Sequence, residues 1–109
     1  MMDVPNIILQ QLGGQRFLVM TGAKNLVGGQ NRLSMRLPRN GSKANRLTIV
    51  LNGDDTYTMR FWRYTSARLN HKTGVYTPDK ETDVQIFEHV YCNQLQPLFT
   101  EVTKMYTHL

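Results

Sequence analysis

The sequence predicts an α+β fold, in which an antiparallel meander sheet of four to five strands has an N-terminal and a C-terminal helix packed on one face. Three observations favour this fold class. The middle of the chain alternates apolar and polar residues, with the period of two that marks half-buried strands. An Asn-Gly pair at positions 52 and 53 is typical of a tight hairpin turn. Both ends of the chain repeat apolar residues every three or four positions, as amphipathic helices do.

The length of 109 residues has room for one domain, so we interpret residues 1–109 as a single unit. Apolar residues make up 40% of the chain, but no apolar run approaches the roughly 20 residues of a membrane-spanning helix. The first residues lack the basic start and the long apolar core of a secretory signal. Cys92 is the only cysteine, which excludes an internal disulfide and agrees with a reducing compartment. We therefore expect a soluble, cytoplasmic protein without a membrane partner.

The formal net charge of +5 is concentrated in the N-terminal half of the chain. Residues 16–46 contain seven basic residues and no acidic residue, whereas five basic residues balance five acidic ones from residue 61 onward. This distribution is expected of a surface patch that meets an anion. The alternative is that the charge only keeps a small domain soluble.

The N-terminal segment predicts one helix and one strand. Asp3 can cap a helix over residues 4–12, where apolar residues recur every four positions, and glycines at positions 13–14 end it. Residues 16–21 (RFLVMT) are apolar enough to form a largely buried strand. Residues 23–30 contain two further adjacent glycines, so we expect a loop or a bulged turn there.

The central strands have the clearest pattern. Residues 32–37 alternate and are closed by Pro38, and the polar, basic connection over residues 39–45 is typical of an exposed loop. A β-hairpin follows, with arms at residues 46–51 and 56–62 on either side of the Asn-Gly turn. Paired in order, these strands form a meander with one apolar face. The predicted apolar face comprises Leu33, Met35, Leu37, Leu47, Ile49, Leu51, Tyr57, Met59 and Phe61.

The C-terminal part predicts a loop, a strand and a helix. Residues 67–81 have no firm period, and we interpret them as a loop with an optional short strand at positions 75 and 76. The last strand is expected over residues 83–87. From residue 88 onward the pattern is helical, and Pro97 should kink or split this helix. The apolar residues on its predicted inner face are Tyr91, Leu95, Leu98, Phe99 and Val102. Together with the N-terminal helix, it would cover the apolar sheet face.

The opposite face of the predicted sheet combines cations with aromatic side chains. Guanidinium groups pair with phosphates, and the rings of Trp62 and Tyr64 offer planes on which unpaired bases can stack. We therefore expect this face to bind DNA or RNA. The predicted nucleic-acid-binding residues are Arg32, Arg36, Arg46, Thr48, Arg60, Trp62 and Tyr64. Two alternatives remain open: the rings pack on a loop or a second subunit while the arginines are only solvated, or a one-residue shift in register turns Trp62 inward.

Other motifs give little support for catalysis, a metal site or a cofactor. The TGAK segment at residues 21–24 lacks the spacing of a phosphate-binding loop. His89 and Cys92 lie one helical turn apart, but a closed zinc site needs four ligands. Asp54 and Asp55 are adjacent in the hairpin turn, whereas paired catalytic carboxylates face each other across a pocket. The sequence therefore predicts a protein that is not an enzyme and that uses no metal or cofactor.

Several short segments resemble one group of proteins. These segments are residues 9–14 (LQQLGG), 16–17 (RF), 20–25 (MTGAKN), 33–38 (LSMRLP) and 99–101 (FTE). The chain is thereby similar to short uncharacterised proteins encoded by bacteriophages, prophages and other mobile elements, although its segment at residues 67–81 is longer than that group leads us to expect. The resemblance implies a bacterial cytoplasmic setting and an accessory role in a mobile genome. It supplies no functional residues.

Two classes of function follow from these observations. In the first, the protein is a non-enzymatic accessory protein that binds DNA or RNA through the basic and aromatic sheet face. In the second, it is a protein-interaction module that binds or inhibits a host or defence complex, and the same face docks on an acidic or a nucleic-acid-binding surface of its target. Dimerisation through an exposed strand edge remains open in both cases.

Overall fold

The computed structural model of the chain describes residues 3–105, and within them it contains three α-helices and seven strands. The helices are α1 (Val4–Leu12), α2 (Gln15–Thr21) and α3 (Leu95–Thr103). The strands are β1 (Lys24–Gly28), β2 (Arg32–Arg36), β3 (Arg46–Leu51), β4 (Tyr57–Thr65), β5 (Arg68–Leu69), β6 (Tyr76–Thr77) and β7 (Lys80–Val90). A short 3₁₀ turn, Cys92–Gln94, precedes α3.

Five of the strands form one antiparallel sheet in the order β1-β2-β3-β4-β7. Neighbours in this sheet follow one another along the chain, except that the two-stranded hairpin β5–β6 is inserted between β4 and β7. The sheet is therefore a meander. Together with helices at both ends of the chain, it confirms the predicted α+β fold.

The hydrophobic core lies between one face of this sheet and the helices. The predicted apolar face is buried against them except for Leu51, which is only partly buried. The aromatic ring of Phe99 in α3 joins the layers, because its centroid lies 5.0 Å from that of Phe17 in α2 and 6.4 Å from that of Phe61 in β4. The core residues contributed by the helices are Ile8, Leu12, Phe17, Leu95 and Phe99. This packing leaves the other face of the sheet for exposed and half-exposed side chains.

Helix α1 begins and ends as its sequence indicates. The Asp3 carboxylate accepts a hydrogen bond of 3.1 Å from the backbone N–H of Asn6, and Pro5 lies in the first turn, where its missing N–H is not needed. Gly13 ends the helix with a φ of 125°, a conformation that side-chain-bearing residues rarely adopt. The prediction of this helix is confirmed.

The strand predicted for residues 16–21 is wrong, because helix α2 occupies this segment. Gly14 and Gly22 adopt positive φ values of 63° and 72° on either side of it, and they turn the chain sharply enough to isolate one short helix. Phe17 and Thr21, four residues apart, are buried, whereas Val19 is 72% exposed. The segment is apolar in composition, but only one side of it meets the core.

The loop predicted for residues 23–30 is also wrong, since β1 forms the first edge of the sheet there. The expected irregularity is present as a break in register between Lys24 and Val27, where Asn25 has a φ of 56°. Gly28 does not form a turn but allows β1 to lie close to α1. A Cβ atom at this position would lie 2.8 Å from Cγ of Pro5 in α1.

The C-terminal part differs from its predicted organisation at several points. The predicted loop over residues 67–81 contains the hairpin β5–β6, in which β6 agrees at Tyr76 with the short strand expected at positions 75 and 76, and β7 is longer than the predicted strand 83–87. Because β7 continues to Val90, α3 starts at Leu95 rather than at residue 88. Pro97 then falls in the first turn of α3, where a helix tolerates proline, so the helix is not split. Tyr91 precedes the 3₁₀ turn and is 60% exposed instead of facing the core.

Among residues 3–105, no helix has both the length and the apolarity needed to cross a membrane.

Candidate nucleic-acid interface

The strand register places three of the predicted binding residues in one row across the outer face of the sheet. Arg36 in β2 pairs with Arg46 in β3, and Arg46 pairs with Trp62 in β4. Directly opposite residues on neighbouring strands have Cβ atoms about 5 Å apart, so these side chains are immediate neighbours. A second row contains Thr48 opposite Arg60.

The Trp62 side chain is held on the outer face by its neighbours. Its indole Nε1 donates a hydrogen bond of 3.1 Å to Oγ1 of Thr48, which lies 3.0 Å from Oγ of Ser34. The guanidinium carbon of Arg60 lies 4.7 Å from the centroid of the Trp62 ring, a cation–π arrangement. The alternative register, with this ring turned inward, is therefore not adopted. The ring is half-buried and fixed in orientation.

Arg60 supports Trp62 but is not a free cation. Its Nε atom lies 2.5 Å from Oδ1 of Asp83, and a second carboxylate, that of Glu81, lies 3.9 Å from its Nη2 atom. Both acidic residues belong to β7. The positive charge of Arg60 is thus balanced within the sheet, which makes this residue a poor partner for a phosphate.

Tyr64 is likewise engaged by other residues. Its hydroxyl donates a hydrogen bond of 2.9 Å to Oδ2 of Asp79, and this bond to the carboxylate raises the pKa of Tyr64 above its usual value. The guanidinium carbon of Arg46 lies 5.4 Å from the centroid of the Tyr64 ring. One face of the ring is therefore covered by a cation, and the hydroxyl is used by a carboxylate.

Arg32 lies apart from the row that contains Trp62. It occupies the other end of β2, four residues before Arg36, which corresponds to about 13 Å along a strand. Its side chain packs over Gly29, where an added Cβ atom would approach Arg32 to 2.9 Å. The structure thus brings Arg36, Arg46 and Trp62 together, with Thr48 and Arg60 beside them, and separates Arg32 from this group.

A depression of about 400 Å³ on the outer face of the sheet is lined in part by Trp62. Val27 of β1 and Trp62 of β4 provide apolar walls, and Arg36 and Arg46 contribute cations. The remaining lining residues are Asn25, Ser34 and Met35. Its volume falls within the range of small-molecule sites, roughly 300–1,000 Å³. We refer to this feature as the Trp62 depression.

A second concave feature, which the sequence did not identify, adjoins the depression at the end of the sheet. This basic cleft has a volume of about 700 Å³ and contains five cations without any acidic residue. Its lining residues are Lys24, Arg36, Leu37, Pro38, Arg39, Asn40, Ser42, Lys43, Ala44, Asn45 and Arg63. Four of the five cations belong to residues 16–46, which contain no acidic residue. This charge distribution is the feature of the sequence from which the cleft could have been predicted. The fifth, Arg63, comes from β4 and no local pattern links it to the others.

Charge differs between the two sides of the outer face. The sheet is basic along β1 and β2 and at the start of β3, whereas β7 contributes Glu81, Asp83 and Glu88. Because like charges repel, an anionic ligand is restricted to the side formed by β1, β2 and β3. Trp62 stands at the boundary between the two regions.

Asp54 and His89 lie near each other at the turn between β3 and β4. Asp54 accepts hydrogen bonds from Oγ1 of Thr56 at 2.6 Å and from its backbone N–H at 3.2 Å. These bonds hold the pKa of Asp54 below its usual value. His89 lies 3.8 Å from Asp54 rather than beside the exposed Cys92. Residues 3–105 contain no cluster of three or more metal-ligating side chains.

Comparison of the chain with models of protein families, with curated proteins and with solved structures finds no significant match. The function of the site therefore has to be inferred from its own geometry.

Proposed function

We propose that this protein is a small, non-enzymatic accessory protein that binds single-stranded nucleic acid through the side of the outer sheet face that β1, β2 and β3 form. The observation that supports this proposal best is the Trp62 depression. Trp62, whose ring is covered by Arg60 on one face, lines this depression together with the apolar Val27 and the cations Arg36 and Arg46. The resemblance to proteins of phages and mobile elements agrees with an accessory role of this kind.

The shape of the depression favours an unpaired base. One face of the Trp62 ring is covered by Arg60, so a ligand can stack only on the opposite face. In a duplex the bases stack on each other and their faces are not accessible, whereas a single strand can turn a base outward. Stacking on an aromatic side chain contributes about 1–3 kcal/mol per base. Arg36 and Arg46 are positioned to pair with the phosphates beside that base.

The test is a fluorescence titration with single-stranded DNA, single-stranded RNA and duplex DNA at several salt concentrations. Trp62 is the only tryptophan, so quenching of its emission reports stacking directly. We expect a single strand to quench this emission. Because Trp62→Ala has no tryptophan emission, its affinity is compared with that of wild type by the fluorescence anisotropy of a labelled oligonucleotide, and we expect it to bind about 5- to 150-fold more weakly, the equivalent of 1–3 kcal/mol. Replacing Arg36 and Arg46 by Gln should reduce the salt dependence of binding.

A matched control is Arg16→Gln, which removes one positive charge from an exposed position on α2. Its effect on affinity should be small, because this arginine lies outside the basic side of the sheet face. If none of the three nucleic acids binds the wild-type protein at low salt, the proposal is wrong.

A second candidate function, a protein-interaction module, is favoured by the edge strand β7. This strand has eleven residues, almost all exposed, and it includes the apolar side chains of Val84 and Ile86, which are 38% and 47% exposed. An exposed edge of this length can accept a strand of another protein. The function would be supported by a bacterial partner that binds wild-type protein but not the Val84→Lys/Ile86→Lys variant.

A further inference from the structure

The basic cleft concentrates positive charge that no carboxylate balances. Within residues 3–105, the side chains of Lys24, Arg36, Arg39 and Lys43 form no ion pair, in contrast to Arg60, which is paired with two acidic residues of β7. Lys24, Arg39 and Lys43 are also exposed, and their charged ends are accessible to a ligand. Such a group of cations is an electrostatic site for a polyanion.

The loop that supplies much of this cleft is held together by its own polar side chains. Nδ2 of Asn40 donates hydrogen bonds to the carbonyl oxygens of Pro38 at 2.8 Å and of Ala44 at 3.0 Å. Oδ1 of Asn40 accepts a bond of 2.8 Å from the backbone N–H of Ser42. The Ser42 hydroxyl oxygen in turn accepts a bond of 3.1 Å from the N–H of Ala44. The backbone between residues 38 and 44 is thereby ordered before any ligand binds.

The same loop is also attached to the rest of the fold. The backbone N–H of Gly41 donates a hydrogen bond of 2.7 Å to the carbonyl oxygen of Thr103 at the end of α3. Nη1 of Arg63 in β4 donates a bond of 3.0 Å to the carbonyl oxygen of Lys43. A site that is ordered in advance loses less entropy when its ligand binds. The loop that carries these cations is therefore attached to α3 and β4 before a ligand binds.

The cleft and the Trp62 depression are neighbours, because Arg36 lines both features. A strand that places a base in the depression therefore has its backbone next to the first cation of the cleft. Arginine guanidinium groups match the oxygen atoms of a phosphate in pairs, and lysine ammonium groups add compact positive charge.

We propose that the basic cleft binds consecutive backbone phosphates of the strand whose base occupies the Trp62 depression. This inference rests on the proposed function, which it extends by assigning a second subsite and a path for the strand. The base binds in the depression on the sheet face. The phosphates bind at the end of the sheet, to Lys24, Arg39, Lys43 and Arg63.

The experiment compares two double variants that remove equal charge. The cleft variant is Arg39→Gln/Lys43→Gln, and the control is Arg68→Gln/Lys72→Gln, which removes one arginine and one lysine from the region of the β5–β6 hairpin. Each is titrated with oligothymidylate, followed by Trp62 fluorescence, and with inorganic polyphosphate, a chain of phosphates that has no bases.

We expect the cleft variant to lose about tenfold or more in affinity for polyphosphate and to lower the salt slope for oligothymidylate by about 1.4, that is 0.7 for each phosphate contact removed. The control variant should change neither quantity by comparable amounts. Near-saturating oligothymidylate should still quench Trp62 in the cleft variant, because the depression is intact.

The possible failures are distinguishable. An unchanged salt slope and unchanged polyphosphate affinity in the cleft variant would overturn the cleft as a phosphate site, even if oligothymidylate still quenches Trp62. Equal losses in both double variants would overturn it as well, because the effect would then follow net charge alone. If polyphosphate binding depends on the cleft but no oligonucleotide quenches Trp62, the phosphate site is supported and the base site of the proposed function is wrong.

Discussion

Trp62 depends for its position on residues that the ligand need not touch. The Thr48 hydroxyl accepts a hydrogen bond from the indole N–H, and the Arg60 guanidinium covers one face of the ring. Arg60 is in turn aligned by Asp83. An aromatic ring that is already fixed gives up little rotational freedom when a base stacks on it, so these neighbours contribute to affinity by lowering the entropic cost of binding.

The central hairpin turn depends on an ionised carboxylate, which makes its contribution to stability sensitive to pH. The Thr56 hydroxyl and then the Thr56 N–H hold the pKa of Asp54 below its usual value. Because the folded state lowers this pKa, the stabilisation is present above the unfolded pKa of about 3.9 and is lost as the pH falls through the folded value. We expect Asp54→Asn to lower the urea midpoint at pH 7, and we expect the difference from wild type to shrink below about pH 4.

Asp55→Asn is the matched control for this measurement. It removes the same charge from the same turn, at a position whose φ of 65° asparagine tolerates. It should lower the urea midpoint at pH 7 less than Asp54→Asn does, because the Thr56 hydroxyl and backbone N–H donate their hydrogen bonds to the Asp54 carboxylate. A difference between wild type and Asp54→Asn that is constant between pH 3 and 7 would show that the carboxylate charge of Asp54 does not stabilise the turn.

At the scale of elements, the contact between the loop at residues 38–44 and the end of α3 allows a sharp test. A Cβ atom on Gly41 would lie 2.9 Å from the Thr103 carbonyl oxygen and 2.6 Å from Cγ of Lys104. Since the first of these atoms is backbone, the loop or the helix end must move. We expect Gly41→Ala to reduce the free energy of unfolding by about 1–3 kcal/mol, as overpacking does, in a urea denaturation experiment.

Gly53→Ala is the control for the loop. An added Cβ atom there meets nothing within 4 Å, and this glycine does not have a positive φ. Its effect on the free energy of unfolding should stay within about 0.5 kcal/mol. If both alanine variants are equally stable, the loop is not tightly packed against α3, and this contact does not order the basic cleft before a ligand binds.

Elements that face the core on one side were predictable from the sequence, and elements at the margin of the fold were not. β2, β3 and β4 alternate because every second residue enters the core. β1 is an edge strand whose residues are exposed or half-exposed, so its sequence has no alternation to detect. α2 has only seven residues, too few for a helical period to be distinguished from an apolar strand.

The part of the candidate site that depends only on the strand register was predictable from the sequence. The row Arg36–Arg46–Trp62 results from the hairpin of β3 and β4 and the regular spacing of these strands, although the positive φ in its turn is at Asp55 and not at the Asn-Gly pair. Ion pairs across strands could not be predicted in this way, because the partner of β4 lies beyond the inserted hairpin. The neutralisation of Arg60 by Asp83 therefore becomes apparent only when β7 is paired with β4.

At the scale of the whole molecule, the distribution of charge matters more than its total. The net charge is +5, but the cations of the cleft and the acidic residues of β7 lie on opposite sides of Trp62. A polyanion is attracted to one side and repelled by the other, so the molecule restricts where a bound strand can run.

This asymmetry gives a prediction that separates local charge from total charge. Asp83→Asn and Glu88→Gln each raise the net charge by one, and both lie on β7, but only Asp83 forms an ion pair with Arg60. Asp83→Asn should leave Arg60 with only the 3.9 Å contact to Glu81, so that its charge beside Trp62 is less completely neutralised. We therefore expect it to tighten the binding of oligothymidylate and to steepen the salt slope by about 0.7, whereas Glu88→Gln should alter the slope little. Equal effects of the two variants in the fluorescence titration would mean that the strand responds to net charge only, and that Arg60 does not lie on its path.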